Sequence, residues 1–450
     1  MHKSLGLFAL LLVGASFSVS GRVARVSEGN LIVKLKKDIK SISFVRNHLS
    51  GMGTRIEKSL IPEMGIYLIK ADQSIGLQGS ISELKSTGLF EYVQYDHLIT
   101  PRMIPNDVNF KDMWNFNVQN NGADISAGKA WDQSVGGKDA RGNDIVVAVV
   151  DGGVDFNHRD LVDNFWTNKN EIAGNGIDDD KNGYIDDVYG WNAYTKNGSI
   201  PSSRHGTHVA GIIGAKGNNG KDVAGVNWNV KLMTVAASSG TTSVVLEGYG
   251  YVLKQKKLFI ESNGAKGANV VSTNSSFGVD YADCESNDYP VWNDIYNEMG
   301  KYGILSAAAT INGNVDVDAN GDVPTGCSSP YLVTVTNTDV TNSKYSSAGY
   351  GADSIDLGAP GTNVLSTLPS NTIGALTGTS MATPHVAGAI ALVHAAAKKS
   401  LNDQYYSNPA ETALFFKQVL LDTTTANNSL KGKTVTGGKL NLANAVNAVK

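Results

Sequence analysis

DIVVAVVD, residues 144 to 151, is apolar at successive positions instead of alternate ones, is rich in valine, and stops at an acid followed by Gly152 and Gly153. A strand buried on one face alternates between apolar and polar residues, whereas a strand buried on both faces does not. The run therefore predicts a parallel strand in the middle of an α/β sheet. Its carboxylate, Asp151, is expected at the carboxyl edge, where open α/β sheets gather their sites.

Working outward, VKLMTVAA (230 to 237), ANVVSTNSS (268 to 276), GILSAAA (303 to 309) and YLVTVTNTD (331 to 339) have the same character. Helical patterns fall between or after them: HVAGIIGAK (208 to 216), VVLEGYGYVLKQKK (244 to 257), YPVWNDIYNEMGKYG (289 to 303) and MATPHVAGAIALVHAAAKK (381 to 399). Strands alternating with helices predict βαβ units, hence an α/β domain of three layers around a mostly parallel sheet. A net charge of -4 offers nothing to a polyanion, and no basic stripe or zinc-finger spacing is present, so no nucleic-acid partner is expected.

Three glycine-rich motifs carry chemistry: Asp151 in VVDGGVD (149 to 155), His205 in HGTHVAG (205 to 211) and Ser380 in GTSMATPHVAG (378 to 388). A hydroxyl nucleophile, an imidazole base and a carboxylate that orients it are what acyl transfer to and from an enzyme requires. His205 stands where a helix begins, and His208, three residues on, reads as structural. Ser380 also opens a helix, and Pro384 is read as lying in that helix's first turn, where a missing N–H does no harm. The orphan donors of such a turn can bind developing negative charge. Zinc hydrolysis is disfavoured, because HExxH is absent and no third ligand accompanies the two histidines.

In these motifs and in their order Asp, His, Ser, the chain resembles the subtilisin-like serine proteases. The resemblance runs from about Ile125 to Lys450 and implies that Asp151 orients the imidazole, His205 is base and then acid, and Ser380 is the nucleophile. It also implies an oxyanion-hole asparagine after the strand GILSAAA. The run here is SAAATINGNVDVD (306 to 318), longer than the family's usual AAAGN, so Asn312 is the first choice and Asn314 the alternative. Ser276, Phe277 and Gly278 in SSFG resemble the segment that pairs with an extended substrate, and such backbone pairing is indifferent to side chains. With no paired acidic cluster near these walls in the sequence, broad or hydrophobic preference is expected. An esterase of the α/β-hydrolase type would need GxSxG and the order Ser, acid, His. A sedolisin-like enzyme would use a carboxylate base, and a dead homologue would lack one of the three residues.

GIDDDKNGYIDD (176 to 187) places oxygens at alternate positions with a glycine for the sharp turn, a pattern suited to calcium. The expected ligands of a structural Ca2+ are Asp178, Asp180, Asn182, the Tyr184 carbonyl and Asp187. The two cysteines, Cys284 and Cys327, are expected to pair in an oxidising compartment.

That compartment is implied by residues 1 to 20, in which Lys3, an apolar run from Leu5 to Val13, and Ser18 and Ser20 read as a signal peptide. The apolar run is too short to span a bilayer stably and no later window reaches about 18 uninterrupted apolar residues, so no membrane anchor is expected. In residues 21 to 100, LIVKLKK, GIYLIKA and FEYVQYD read as strands and SISELKSTG as a helix. This small α+β domain resembles the family's inhibitory propeptide. Residues 101 to 122 read as a linker holding the maturation region, and residues 123 to 450 as the peptidase domain. The expected molecule is secreted and monomeric, acts on proteins or peptides, and has its own propeptide as intramolecular inhibitor.

Overall fold

The computed structural model describes residues 26–39, 41–98, 104–117, 121–286 and 288–450. The expected signal peptide lies outside the described residues, as do parts of the expected linker, residues 101–103 and 118–120. The chain divides into two units, Met1–Pro101 and Arg102–Lys450.

In the first unit, β1 (Val26–Leu35), α1 (Ile42–Ser50), β2 (Arg55–Ile61), β3 (Ile66–Lys70), α2 (Gly76–Ser86) and β4 (Phe90–His97) follow one another. The strands form an antiparallel sheet in the order β2-β3-β1-β4. Leu31, Val33 and Leu35 alternate onto one face, where they pack with Val45 and Leu49 of α1 and Ile81 and Leu84 of α2. The sequence pattern missed β2 because it is an edge strand, exposed at nearly every position and carrying Arg55, Glu57 and Lys58.

The second unit opens with α3 (Ala127–Trp131), β5 (Val146–Asp151), β6 (Gly190–Asn192), α4 (Arg204–Gly214), β7 (Lys231–Ala236) and α5 (Thr242–Glu261). It continues through β8 (Val270–Ser275), β9 (Val279–Asp280), α6 (Pro290–Lys301), β10 (Leu305–Ala309), α7 (Val317–Asn320), β11 (Asp322–Val323) and β12 (Leu332–Thr338). Then come β13 (Leu357–Pro360), β14 (Val364–Leu368), β15 (Thr372–Leu376), α8 (Thr379–Ala396), α9 (Lys399–Ser407) and α10 (Pro409–Asp422). The last elements are β16 (Thr425–Ala426), β17 (Gly438–Lys439) and α11 (Leu442–Ala448).

Among the described residues, nine strands form the main sheet in the order β16-β17-β13-β12-β10-β8-β5-β7-β6, parallel except for the β16/β17 pair. All of β5 is buried. Val147 and Val149 join a core with Val209 and Ile213 of α4 and Val386 and Ile390 of α8. Val146, Ala148 and Val150 join a second core with Tyr249 and Val252 of α5 and Trp292 and Tyr296 of α6. The unbroken apolar run is thus a period-2 strand with two buried faces. Each fully buried valine contributes roughly 1.5–3 kcal/mol, and the result is the expected three-layer α/β domain.

One expectation needs correction. Helix α8 begins at Thr379, so Pro384 lies in its second turn, not its first. A proline there has no N–H for the carbonyl four residues earlier, which is that of Ser380. That carbonyl accepts a hydrogen bond from Ser276 Oγ at 3.0 Å instead.

Candidate active site

Asp151 ends β5, Ser276 follows β8, and Asn312 follows β10, so parallel strands deliver all three to one edge of the sheet. Asp151 is buried, with Oδ1 accepting from the Gly152 N–H at 2.7 Å and Oδ2 lying 2.8 Å from His205 Nδ1. Because a carboxylate only accepts, Nδ1 carries the proton and Nε2 faces outward as the available base. Burial disfavours the charged ring, but the Asp151 hydrogen bond and negative charge outweigh it and raise the His205 pKa above the ordinary 6.5.

The start of α4 fixes the imidazole. Ser203 caps the helix through a bond from the Gly206 N–H to its Oγ at 3.3 Å. Gly206 must be glycine, since a Cβ there would come within 2.0 Å of the Gly153 carbonyl oxygen and 2.9 Å of Asp151 Oδ1.

Ser380 and His205 line one cavity, together with Asn312, Gly378 and Met381. The Ser380 hydroxyl donates to the Ser276 carbonyl at 3.3 Å. Asn312 Oδ1 accepts from Thr379 N–H at 3.0 Å and Thr379 Oγ1 at 3.1 Å, which leaves Nδ2 as the end able to donate into the cavity. Asn314, the alternative, instead accepts from Lys344 Nζ at 3.3 Å.

Ser276, Phe277 and Gly278 form one wall of an adjoining cavity of about 110 Å³ that ends at Ser380. Its other walls bring in two acids that the sequence reading had not placed there, Asp280 and Asp322. Asp322 is 1% exposed. The expectation of walls without an acidic pair is therefore corrected: the hydrogen-bond register of β9 on β11 sets Asp280 directly opposite Asp322.

His208 is held inside, its Nε2 donating to the carbonyls of Val364 at 2.9 Å and Gly374 at 3.0 Å, and burial lowers its pKa to about 4. It supports the helix and does not face the cavity. Likewise His385 donates through Nδ1 to the Met381 carbonyl at 2.9 Å and faces the Asn115 amide through Nε2 at 2.8 Å.

In the acidic loop, carboxylate oxygens of Glu171, Asp178 and Asp180 all lie within 4.8 Å of one another. Glu171 Oε2 is buried without a hydrogen-bond partner, so this cluster fits a hard cation. Glu171 lies outside the GIDDDKNGYIDD pattern and was missed. Asp187 is fully buried and accepts from the amides of Asn168, Asn182 and Gln255. The Asn182 amide oxygen accepts from Tyr184 N–H at 2.7 Å, and the Tyr184 ring packs on Trp191 and Tyr251. Cys284 and Cys327 form a disulfide that ties the segment after β9 to the segment after β11.

A mostly parallel sheet between two helical layers, with Asp at a strand's carboxyl end and His and Ser in the first turns of two helices, is the architecture of the subtilisin-like serine proteases. The chain belongs to the subtilase family, whose model matches residues 142–439. Subtilisin-like protease 1 of Plasmodium berghei is 31% identical over 324 residues, 67% of this chain and 49% of the relative. The chain thus spans about half the length of that relative. An extracellular protease of Xanthomonas campestris pv. campestris is 29% identical over 405 residues, 85% of this chain and 65% of the relative. Among solved structures, a protease from Pseudoalteromonas arctica PAMC 21717 matches with a TM-score of 0.56 and 27% identity, over 77% of this chain and 100% of the other. Among the described residues, no helix is long and apolar enough to cross a membrane.

Proposed function

We propose that this chain is a secreted serine endopeptidase that cleaves peptide bonds through an acyl-enzyme intermediate. The observation that carries this is the 2.8 Å contact of Asp151 Oδ2 with His205 Nδ1, beside a cavity shared by His205 and Ser380. On substrate binding, the Ser380 hydroxyl turns from the Ser276 carbonyl to His205 Nε2, a bond that forms fully only in the Michaelis complex. His205 takes the proton as Ser380 Oγ attacks the carbonyl carbon, and Asp151 stabilises the imidazolium. Asn312 Nδ2 and the Ser380 N–H at the start of α8 receive the oxyanion. His205 then protonates the leaving amine, and water repeats the sequence to release the acid. Substrate lies extended along Ser276, Phe277 and Gly278, whose backbone pairing accepts varied sequences.

Residues 1 to 20 direct export, residues 21 to 100 form an inhibitory propeptide, and cleavage within 101 to 122 releases the peptidase domain 123 to 450, which works as a monomer. The export proposal is supported by the extracellular protease among its relatives. Glu171, Asp178 and Asp180 would hold a structural Ca2+, supported by the unpaired Glu171 oxygen. When bound, the ion would supply charge that pins the loop between β5 and α4, apart from the acyl-transfer groups.

Casein hydrolysis by wild type beside Ser380→Ala, with a serine-directed covalent inhibitor and mass spectrometry, tests the function. Loss of activity in the variant and an adduct on Ser380 are expected. A matured wild type that neither hydrolyses casein nor takes up the inhibitor would overturn it.

A further inference from the structure

We propose that the first substrate pocket selects a cationic side chain, arginine or lysine, with Asp322 at its floor and Asp280 at its rim as the residues that set this preference. The proposal deepens the peptidase function given above and rests on it.

The cavity runs from Ser380 between the Ser276–Gly278 wall and the turn Thr310–Asn312. A side chain entering beside the scissile bond therefore meets Asp322. The carboxylate is buried, and its three hydrogen bonds, from Thr310 Oγ1, Ile311 N–H and Thr325 Oγ1, all fall on Oδ2. Oδ1 is left on the Gly278 side, where a Cβ added to that glycine would sit 3.5 Å from it. Gly278 is itself part of the cavity wall, so this oxygen is presented to whatever fills the pocket.

Asp280 stands opposite Asp322 in the antiparallel β9/β11 pair. Directly opposed residues of such a pair point to the same face, and like charges there repel. Among the described residues, no lysine or arginine lines the cavity to relieve the repulsion. Burial together with the Asp280 charge pushes the Asp322 pKa up to about 6. A guanidinium or ammonium between the two carboxylates would pair with both and offset their repulsion, and the Cys284–Cys327 disulfide links the segments that follow the two strands. Buried charge pairing of this kind discriminates strongly, because a neutral occupant leaves the acid desolvated and unpaired.

The test uses matured wild type, Asp322→Asn and Asp280→Asn on tetrapeptide p-nitroanilides that differ only in the last residue: Arg, Lys, Met, Leu or Glu. Wild type is expected to favour Arg and Lys over Met by at least about tenfold in kcat/KM. Asp322→Asn keeps an acceptor for Thr310 and Thr325 and removes the charge. It should lower the Arg/Met ratio by about tenfold, mainly through KM. A purely structural Asp322 would instead depress all five substrates together and leave the ratio unchanged. Asp280→Asn, at an exposed position, should lower the same ratio less, and it serves if Asp322→Asn does not fold. A wild type that cleaves the series but prefers Met or Leu overturns the pocket proposal alone. A wild type that cleaves none of the five overturns the peptidase function, and the pocket proposal with it.

Discussion

Ser276 and Ser380 hold each other through two reciprocal hydrogen bonds: Ser276 Oγ donates to the Ser380 carbonyl at 3.0 Å, and Ser380 Oγ donates to the Ser276 carbonyl at 3.3 Å. The first bond serves a carbonyl to which Pro384, four residues on, has no N–H to donate. Ser276→Ala should therefore lower stability by about 1 kcal/mol, an ordinary hydrogen bond's worth. Adding Pro384→Ala supplies the helical N–H and should recover part of the loss. Urea unfolding of both variants, compared with wild type, checks this.

The His205–Asp151 pair predicts the acid limb of the pH profile. In the proposed mechanism His205 acts as a base only when neutral, and its pKa lies above 6.5. As pH falls, kcat/KM should fall through a midpoint above 6.5. Asp151→Asn removes the charge that raised the value while burial remains, so the residual activity should show a midpoint lower than wild type. For stability the sign runs the other way. A raised folded-state pKa favours the folded form fully below the unfolded value and is lost as pH rises through the folded one. Rate profiles and melting curves across this window would separate the two effects.

Asn312 and Asn314 can be told apart by kinetics. Asn312 is held by Thr379 with its donor end toward the cavity, whereas Asn314 is engaged with Lys344. Asn312→Ala should reduce kcat by about 10²- to 10³-fold with little change in KM, as loss of an oxyanion donor does. Asn314→Ala should stay close to wild type. Steady-state constants on one peptide substrate decide it.

The calcium site proposed at Glu171, Asp178 and Asp180 predicts a chelator effect on stability. Incubation with a chelator should lower the Tm, and added Ca2+ should restore it. Glu171→Gln removes one of the three carboxylates and should melt early in either condition, with most of the Ca2+ response gone. Differential scanning calorimetry of the two proteins provides the measurement.

The sheet was readable because its strands are buried on both faces, so DIVVAVVD and its counterparts carry an apolar signal that needs no tertiary context. Asp151, His205 and Ser380 stand out as candidates because each sits in a run of small residues, and the fold brings Asp151 to His205 and His205 and Ser380 to one cavity. Asp280 and Asp322 do not stand out, since their meeting depends on the pairing of two-residue strands far apart in sequence. Glu171 lies before the acidic run 176 to 187 and reaches it only when the loop folds back. The place of Pro384 depended on a helix boundary two residues earlier than the apolar pattern began, and β2 was hidden by its exposed, charged edge.

The main sheet also separates two apolar cores, which share its strands. His205 and Ser380 are borne by α4 and α8, whose apolar faces lie in one core. The strand and cysteine segments beside Asp280 and Asp322 pack with Ala282, Cys284 and Val323 in the other. Substitutions confined to the second core should therefore disturb the segments beside Asp280 and Asp322 more than the first turns of α4 and α8, where His205 and Ser380 sit.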